Sequence, residues 1–142
     1  MEIIRVSETW QRAGVYYVRI NAFVRGQKIP LNMEFDEGDG EQTKYVLALE
    51  NQEPIGTARL HIVDAQTAKI ERVCVAAEYR KQGVGRQLVK AAEEWAKEFG
   101  AKKIIITSQT HAVGFYESLN YQVNLNIKFD SKIPIIYTEK NI

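Results

Sequence analysis

With 142 residues, 45% hydrophobic and 26% charged, the chain is long enough to bury a core of its own, and one domain spanning residues 1–142 is expected. Its formal net charge of +1 offers no broad basic field for a nucleic-acid partner, so any phosphate recognition has to be local. The single cysteine, Cys74, excludes an internal disulfide and argues against a metal site, and the lack of any apolar run near the roughly 18 residues that span a bilayer points to a soluble, cytoplasmic protein without a membrane partner.

In chain order, residues 2–6 read as a short strand and residues 9–24 as a helix, with Trp10, Ala13, Tyr17, Ile20 and Phe23 near helical spacing and Ser7 or Thr9 as its cap. Residues 25–43 break the pattern with Gly26, Pro30, Gly38 and Gly40 and carry Glu34, Asp36, Glu37, Asp39 and Glu41. This is expected to be a long loop or irregular helix whose acids are solvated or steer a cationic substrate. Strands at 45–49 and 55–63 are joined by a turn through Asn51 and Pro54, and a third strand follows at 68–75. Val84, Leu88, Ala91, Ala92, Trp95 and Phe99 form one apolar stripe on the clearest helix, which Gly100 ends. Ile104, Ile105 and Ile106 suit a central strand covered on both faces. A short helix at 111–119 and strands at 121–129 and 133–138 complete an α/β (α+β) domain, a mixed, mostly antiparallel sheet flanked by helices.

The chemically informative segment is Arg80-Lys81-Gln82-Gly83-Val84-Gly85-Arg86, between a strand and the strongest helix. The first N–H groups of a helix have no partner within it and the dipole is positive there, so a phosphate accepts several hydrogen bonds at once. Gly83 and Gly85 present no bulk and Gly83 has access to left-handed angles, while Arg80, Lys81 and Arg86 add charge. The segment lacks the lysine-serine or lysine-threonine ending of a nucleotide P-loop and the third glycine of a dinucleotide fingerprint.

These residues resemble the pyrophosphate loop of the GNAT N-acetyltransferase superfamily, which reads Arg or Gln, two residues, Gly, one residue, Gly or Ala. Arg80, Gly83 and Gly85 match it. Ile70-Glu71-Arg72-Val73-Cys74-Val75 resembles the family's central strand, which splays from the next one, and Ala112 to Tyr121 resembles its final helix and turn. Residues 23–39 and 129–137 look like the small bacterial ElaA/YjcF-like branch. The resemblance implies acetyl-CoA (coenzyme A) as acyl donor, with contacts at Val73, Cys74 and Val75, at Arg80, Lys81, Gln82, Gly83, Val84, Gly85 and Arg86, and at Gln109, Phe115 and Tyr116. Two histidines and one cysteine make no metal set, so none is expected. Gln109 stands where many relatives have asparagine, and Asn120 where they have glycine.

By the same resemblance Tyr116 is the general acid that protonates the departing thiolate; the alternative is a tyrosine that only packs. Strand alternation puts Glu71 on one face with Val73 and Val75, bordering the acceptor site, where it would act as general base through water. The alternative for Glu71 is an ion pair with Lys69 or the neighbours of Arg72, and Glu34 is the second candidate base. Cys74 reads as a small buried hydrophobe, His111 as the start of the short helix and His61 as a surface residue or substrate contact. The expected activity is direct transfer of acetyl to a primary amine of a small molecule, peptide or protein, with a non-catalytic acyl-CoA binding module as the alternative. Relatives in that family often dimerise, so a homodimer is the assembly to look for.

Overall fold

A computed structural model describes residues 1–127 and 134–142. Seven strands form one sheet: β1 (Glu2–Arg5), β2 (Lys44–Glu50), β3 (Glu53–Ile62), β4 (Thr67–Val75), β5 (Lys103–Gln109), β6 (Gln122–Val123) and β7 (Ile135–Asn141), in the order β1-β2-β3-β4-β5-β7-β6. Every neighbouring pair is antiparallel except β4 with β5. The helices are α1 (Thr9–Arg19), which continues as a π-helical stretch Ile20–Arg25, then α2 (Leu31–Glu34), α3 (Val84–Glu98) and α4 (Val113–Glu117). No helix among the described residues is long and apolar enough to cross a membrane.

The helices cover the two faces of the sheet. On one, Leu88, Val89, Ala92 and Ala96 of α3 pack on Val46, Ala58, Leu60, Ile70, Ile104 and Ile106, with Tyr116, Leu119 and Tyr121 extending the same core. On the other, Val15 of α1 packs on Tyr45, Leu47 and Leu49, and Val18 and Ala22 pack on Cys74. Gly100, at φ 90°, ends the α3 turn in the left-handed conformation that a residue without Cβ adopts freely.

Four sequence expectations need correction. The buried face of α1 is Gln11, Val15, Val18 and Arg19, whereas Trp10 is 51% and Tyr17 55% exposed. Hydrophobicity mis-phases this helix because polar side chains hold its inner face. The Gln11 carboxamide accepts the N–H groups of Ser7 (2.7 Å) and Glu8 (2.9 Å), and Glu8, not Ser7 or Thr9, is the N-cap. Second, the acidic stretch is only partly solvated: Glu34, Asp36 and Asp39 all pair with arginines, and among the described residues only Glu37 and Glu41 of its acids are exposed with no ion-pair partner. Third, the expected strand at 121–129 is confined to β6; the chain turns at Asn124, whose Oδ1 accepts the N–H of Asn126 at 3.0 Å, and residues 128–129 of that expectation lie outside the described residues. Residue 133, expected to open the last strand, lies outside them too, and β7 runs on to Asn141.

The fourth correction concerns β4. Opposite β3, Thr57 faces Cys74 and Arg59 faces Glu71, so three steps on β4 match two on β3. The extra residue is a β-bulge, and Arg72 takes φ 55° within it. The bulge reverses the alternation. Val73 and Val75 pack against the α3 core, while Glu71 joins Arg59 beneath α1 and α2, so the three do not share a face.

Arg19, fully buried, donates to Glu34 Oε2 (2.9 Å), the Glu34 carbonyl (2.8 Å) and both oxygens of Asp39 (2.5 and 3.1 Å). Asp39 also accepts Tyr45 Oη (2.6 Å), the Asp36 N–H (3.0 Å) and Arg59 Nη1 (3.1 Å). Burial alone would favour the protonated acid, but Arg19, Tyr45 and the backbone donor outweigh it and hold the Asp39 carboxyl well below the usual carboxylate range. A depressed folded-state pKa contributes stability that is present above the unfolded value of about 3.9 and is lost as pH falls toward the folded one. Asp39→Asn therefore leaves two buried arginines short of a partner and should destabilise the fold at pH 7 by about 3–5 kcal/mol. In urea unfolding, the gap between parent and variant should narrow as pH drops below about 4.

Candidate active site

The parallel strands β4 and β5 pair only from Thr67 to Lys69 against Lys103 to Ile105. Beyond that point β4 stays with β3 as far as Val75 and β5 stays with β7 as far as Gln109, so the two part and a cleft opens between them. Two cavities occupy it. The larger, about 740 Å³, is bounded by the ends of β4 and α1, the loop before α3, and α4. The smaller, about 350 Å³, lies toward α2 and β5. Phe23, Gln27, Val73, His111, Ala112 and Tyr116 line both, so the cavities meet at these residues.

The floor of the larger cavity is the α3 N-terminus. Gly83 is its N-cap at φ 83°, an angle costly for any residue with a Cβ, and Lys81 precedes it at φ 63°. The first helical bond runs from Gln87 N–H to the Gly83 carbonyl at 3.1 Å, which leaves the N–H groups of Val84, Gly85 and Arg86 ahead of it without a helical acceptor. Arg80 folds back, its Nε donating to the Val75 carbonyl at 3.1 Å, and so ties the loop to the end of β4. Gly85 is needed for a different closeness: a Cβ there would lie 3.2 Å from the Phe115 ring.

Val73, Cys74, Val75, Arg80, Lys81, Gly83, Val84, Gly85, Arg86, Phe115 and Tyr116 all line this cavity. Gln82 and Gln109 do not. The Gln82 amide turns to the Glu78 carbonyl (3.1 Å), and Gln109 lines the smaller cavity, where its Nε2 donates to Gln27 Oε1 at 2.9 Å. Cys74 is buried against Val18 and Ala22, and burial pushes its thiol up to about 12, far from a thiolate nucleophile. His111 sits in the turn Thr110–Ala112 before α4, and His61 is exposed on β3.

Tyr116 is buried against Phe115 and Tyr121, ring centroids 5.0 and 6.1 Å away. Burial raises its hydroxyl pKa well above the ordinary phenol value, so it carries its proton throughout the neutral range. Glu71 and Glu34 both line the smaller cavity. Glu71 contacts Arg59 Nη2 (3.3 Å) and Lys69 Nζ (3.9 Å). Glu34 is 2% exposed, and burial raises its pKa even though Arg19 and Arg72 pull the other way. Sequence reasoning missed Ser108, Arg72 and Gln27, all in the wall of the smaller cavity. A serine after three isoleucines and a threonine reads as an ordinary strand residue, and no local signal separates it from its neighbours.

The profile of the Acetyltransferase (GNAT) family matches residues 7–121, and the chain belongs to that family. Within it the chain falls in the small bacterial branch of YjcF and ElaA. YjcF of Bacillus subtilis is 32% identical over 142 residues, which cover 99% of this chain and 100% of YjcF. A solved structure from Lactobacillus plantarum superposes with a TM-score of 0.91 at 33% identity, over 99% of this chain and 97% of that one. Escherichia coli ElaA shares the fold, with a TM-score of 0.82 at 23% identity and 99% of both chains covered.

Proposed function

We propose that this chain transfers an acetyl group from acetyl-CoA directly to a primary amine, with both substrates bound together, in a cytoplasmic setting. The observation that carries the reading is the meeting of the two cavities at Tyr116: one ends on unpaired helix N–H groups that suit a pyrophosphate, and the other is closed by carboxylates. The larger cavity has room for a pantetheine arm along Val73 and Val75, with Arg80 to Arg86 around the phosphates. The amine nitrogen attacks the thioester carbonyl from the smaller cavity, a C–N bond forms and the C–S bond breaks. The nitrogen releases its surplus proton to solvent as the amide forms, and Tyr116 Oη gives its proton to the departing sulfur and regains one from solvent. An amine that arrives as ammonium, with a pKa of about 10.4 for a lysine-like group, must first lose a proton, which Glu71 takes through water. The raised pKa of Glu34 makes it the second candidate for that step. The ion pairs of Glu71 favour the alternative, a non-catalytic acyl-CoA binding module, and turnover with an amine panel in a thiol-release assay separates the two.

A ligand that binds only the native state stabilises it by about 2.7 kcal/mol at a hundredfold excess over Kd. Coenzyme A should therefore raise the melting temperature of the parent. A Cβ at Gly83 meets no neighbouring atom within 4 Å but is strained at φ 83°, so Gly83→Val should distort the loop and abolish that shift while the domain still folds. Tyr116→Phe removes one oxygen and keeps the ring. It should preserve the coenzyme A shift, leave the KM for acetyl-CoA little changed and lower kcat on the order of 10²-fold, whereas a parental kcat would reduce the hydroxyl to a passive contact. Glu71→Gln should lower turnover at neutral pH by roughly 10²- to 10⁴-fold with partial recovery at high pH. An unchanged pH–rate profile in that variant would move the base to Glu34.

A further inference from the structure

The Tyr116 hydroxyl makes no hydrogen bond to another described residue, so its place in the cleft follows from where its ring packs. The Tyr116 carbonyl accepts the N–H groups of Leu119 (3.0 Å) and Tyr121 (3.1 Å), which fixes the main chain of the turn after α4. The ring itself packs edge to face with two others, Phe115 at 5.0 Å and Tyr121 at 6.1 Å between centroids. Phe115 is exposed and its ring has no polar atom to anchor it, whereas Tyr121 is 2% exposed and carries a hydroxyl.

That hydroxyl is anchored. Tyr121 Oη donates to Glu93 Oε2 at 2.6 Å, a short bond to a carboxylate that is itself only 7% exposed. Lys140 Nζ of β7 meets both Glu93 oxygens (3.1 and 3.3 Å) and lies 5.5 Å from the centroid of the Tyr121 ring. Loss of the tyrosine donor would leave the buried carboxylate to Lys140 alone, so the bond to Glu93 resists release. Glu93 belongs to α3, the helix whose first turn carries the N–H groups of Val84, Gly85 and Arg86. No step of the reaction above uses Glu93 or Tyr121.

We infer that Glu93 and Tyr121 are positioning residues for the acid: the Tyr121 hydroxyl, anchored on Glu93, holds its ring against that of Tyr116 and so sets the Tyr116 hydroxyl in register with the helix that cradles the phosphates. The inference rests on the assignment of Tyr116 as proton donor above. In that reading the pyrophosphate fixes acetyl-CoA at the α3 N-terminus, so the place of the sulfur is defined relative to α3. A donor tied to the same helix keeps its distance to the sulfur. Proton transfer needs donor and acceptor within hydrogen-bond reach, and a displacement of about 1 Å costs on the order of 10²-fold in rate.

Thiol release from acetyl-CoA, measured well below the melting temperature with whichever of hexylamine, spermidine and Nα-acetyllysine the parent acetylates fastest, tests this. Tyr121→Phe keeps the ring and should lower kcat about tenfold, with the KM for acetyl-CoA and the coenzyme A thermal shift little changed. In a Tyr116→Phe background the same substitution should change kcat by no more than about twofold, because it acts through a hydroxyl already removed. Glu93→Gln still offers an oxygen to Tyr121 and should keep kcat within about threefold of the parent. A purely structural Tyr121 hydroxyl would lower the melting temperature and leave kcat at the parental level. That result, an equal loss of kcat in both backgrounds, or a Glu93→Gln enzyme as slow as Tyr121→Phe would each overturn the inference while leaving the Tyr116 assignment in place. A parental kcat in Tyr116→Phe alone would instead strike that assignment, and no turnover of any of the three amines would strike the acyl-transfer reading; the inference would fall with either.

Discussion

The parting of β4 from β5 is the constraint on which the rest of the site depends. A sheet normally continues its ladder to the end of both strands, yet here three residue pairs are all that join the two halves. Each strand keeps its outer neighbour beyond the fork, β4 with β3 and β5 with β7, so each retains a ladder on one edge and exposes the other to the cleft. Backbone groups that would have paired across the gap become available to a substrate there. The bulge at Arg72 adds to this by turning Val73 and Val75 toward α3 and leaving Glu71 on the opposite face. One end of the cleft then meets the α3 N-terminus and the other meets α2. Two cavities thereby meet within the cleft, and Tyr116 lines both.

The second feature that positions the site is ionic. Arg19, Arg59 and Arg72 reach from α1, β3 and β4 to the carboxylates of the stretch after the π-helical turn, and so fasten that stretch across the sheet. Buried ion pairs of this kind add little net stability over a well-packed apolar core, since desolvation offsets most of the Coulomb attraction. Their effect here is geometric: they set where Glu34 and Met33 stand, and with them one wall of the smaller cavity. Behind that wall the Arg19 guanidinium stacks on the Phe35 ring, 4.5 Å from its centroid. The same pairing neutralises the acids, so the wall presents carboxylate oxygens without a strong negative field.

Much of this fold could be read from residue patterns, and the failures share a cause. The α3 helix, the glycine-capped loop before it, the β2–β3 hairpin and the isoleucine strand follow rules of spacing that burial obeys directly. Trp10 and Tyr17 misled the phase of α1 because its inner face holds Gln11 and Arg19, and polar residues facing inward have no signature until their partners are known. The partners of Arg19, Glu34 and Asp39, lie 15 and 20 positions along the chain. The bulge was equally hidden, since Arg72 at φ 55° is a residue type that does not announce a left-handed turn. A period-two reading of β4 therefore assigned Glu71 to the wrong face. At the site, the loop residues were readable because glycine and charge mark a phosphate cradle, while Gln27 and Arg72 reach the wall of the smaller cavity only through tertiary packing, which no sequence displays.

A crystal structure of the protein with coenzyme A bound tests the central claim most directly. The account predicts pyrophosphate oxygens within hydrogen-bond reach of the Val84, Gly85 and Arg86 N–H groups, the pantetheine arm between the parted strands, and the sulfur beside Tyr116 Oη at the junction of the two cavities. Coenzyme A bound elsewhere, or bound at the loop with its sulfur directed away from Tyr116, would contradict it.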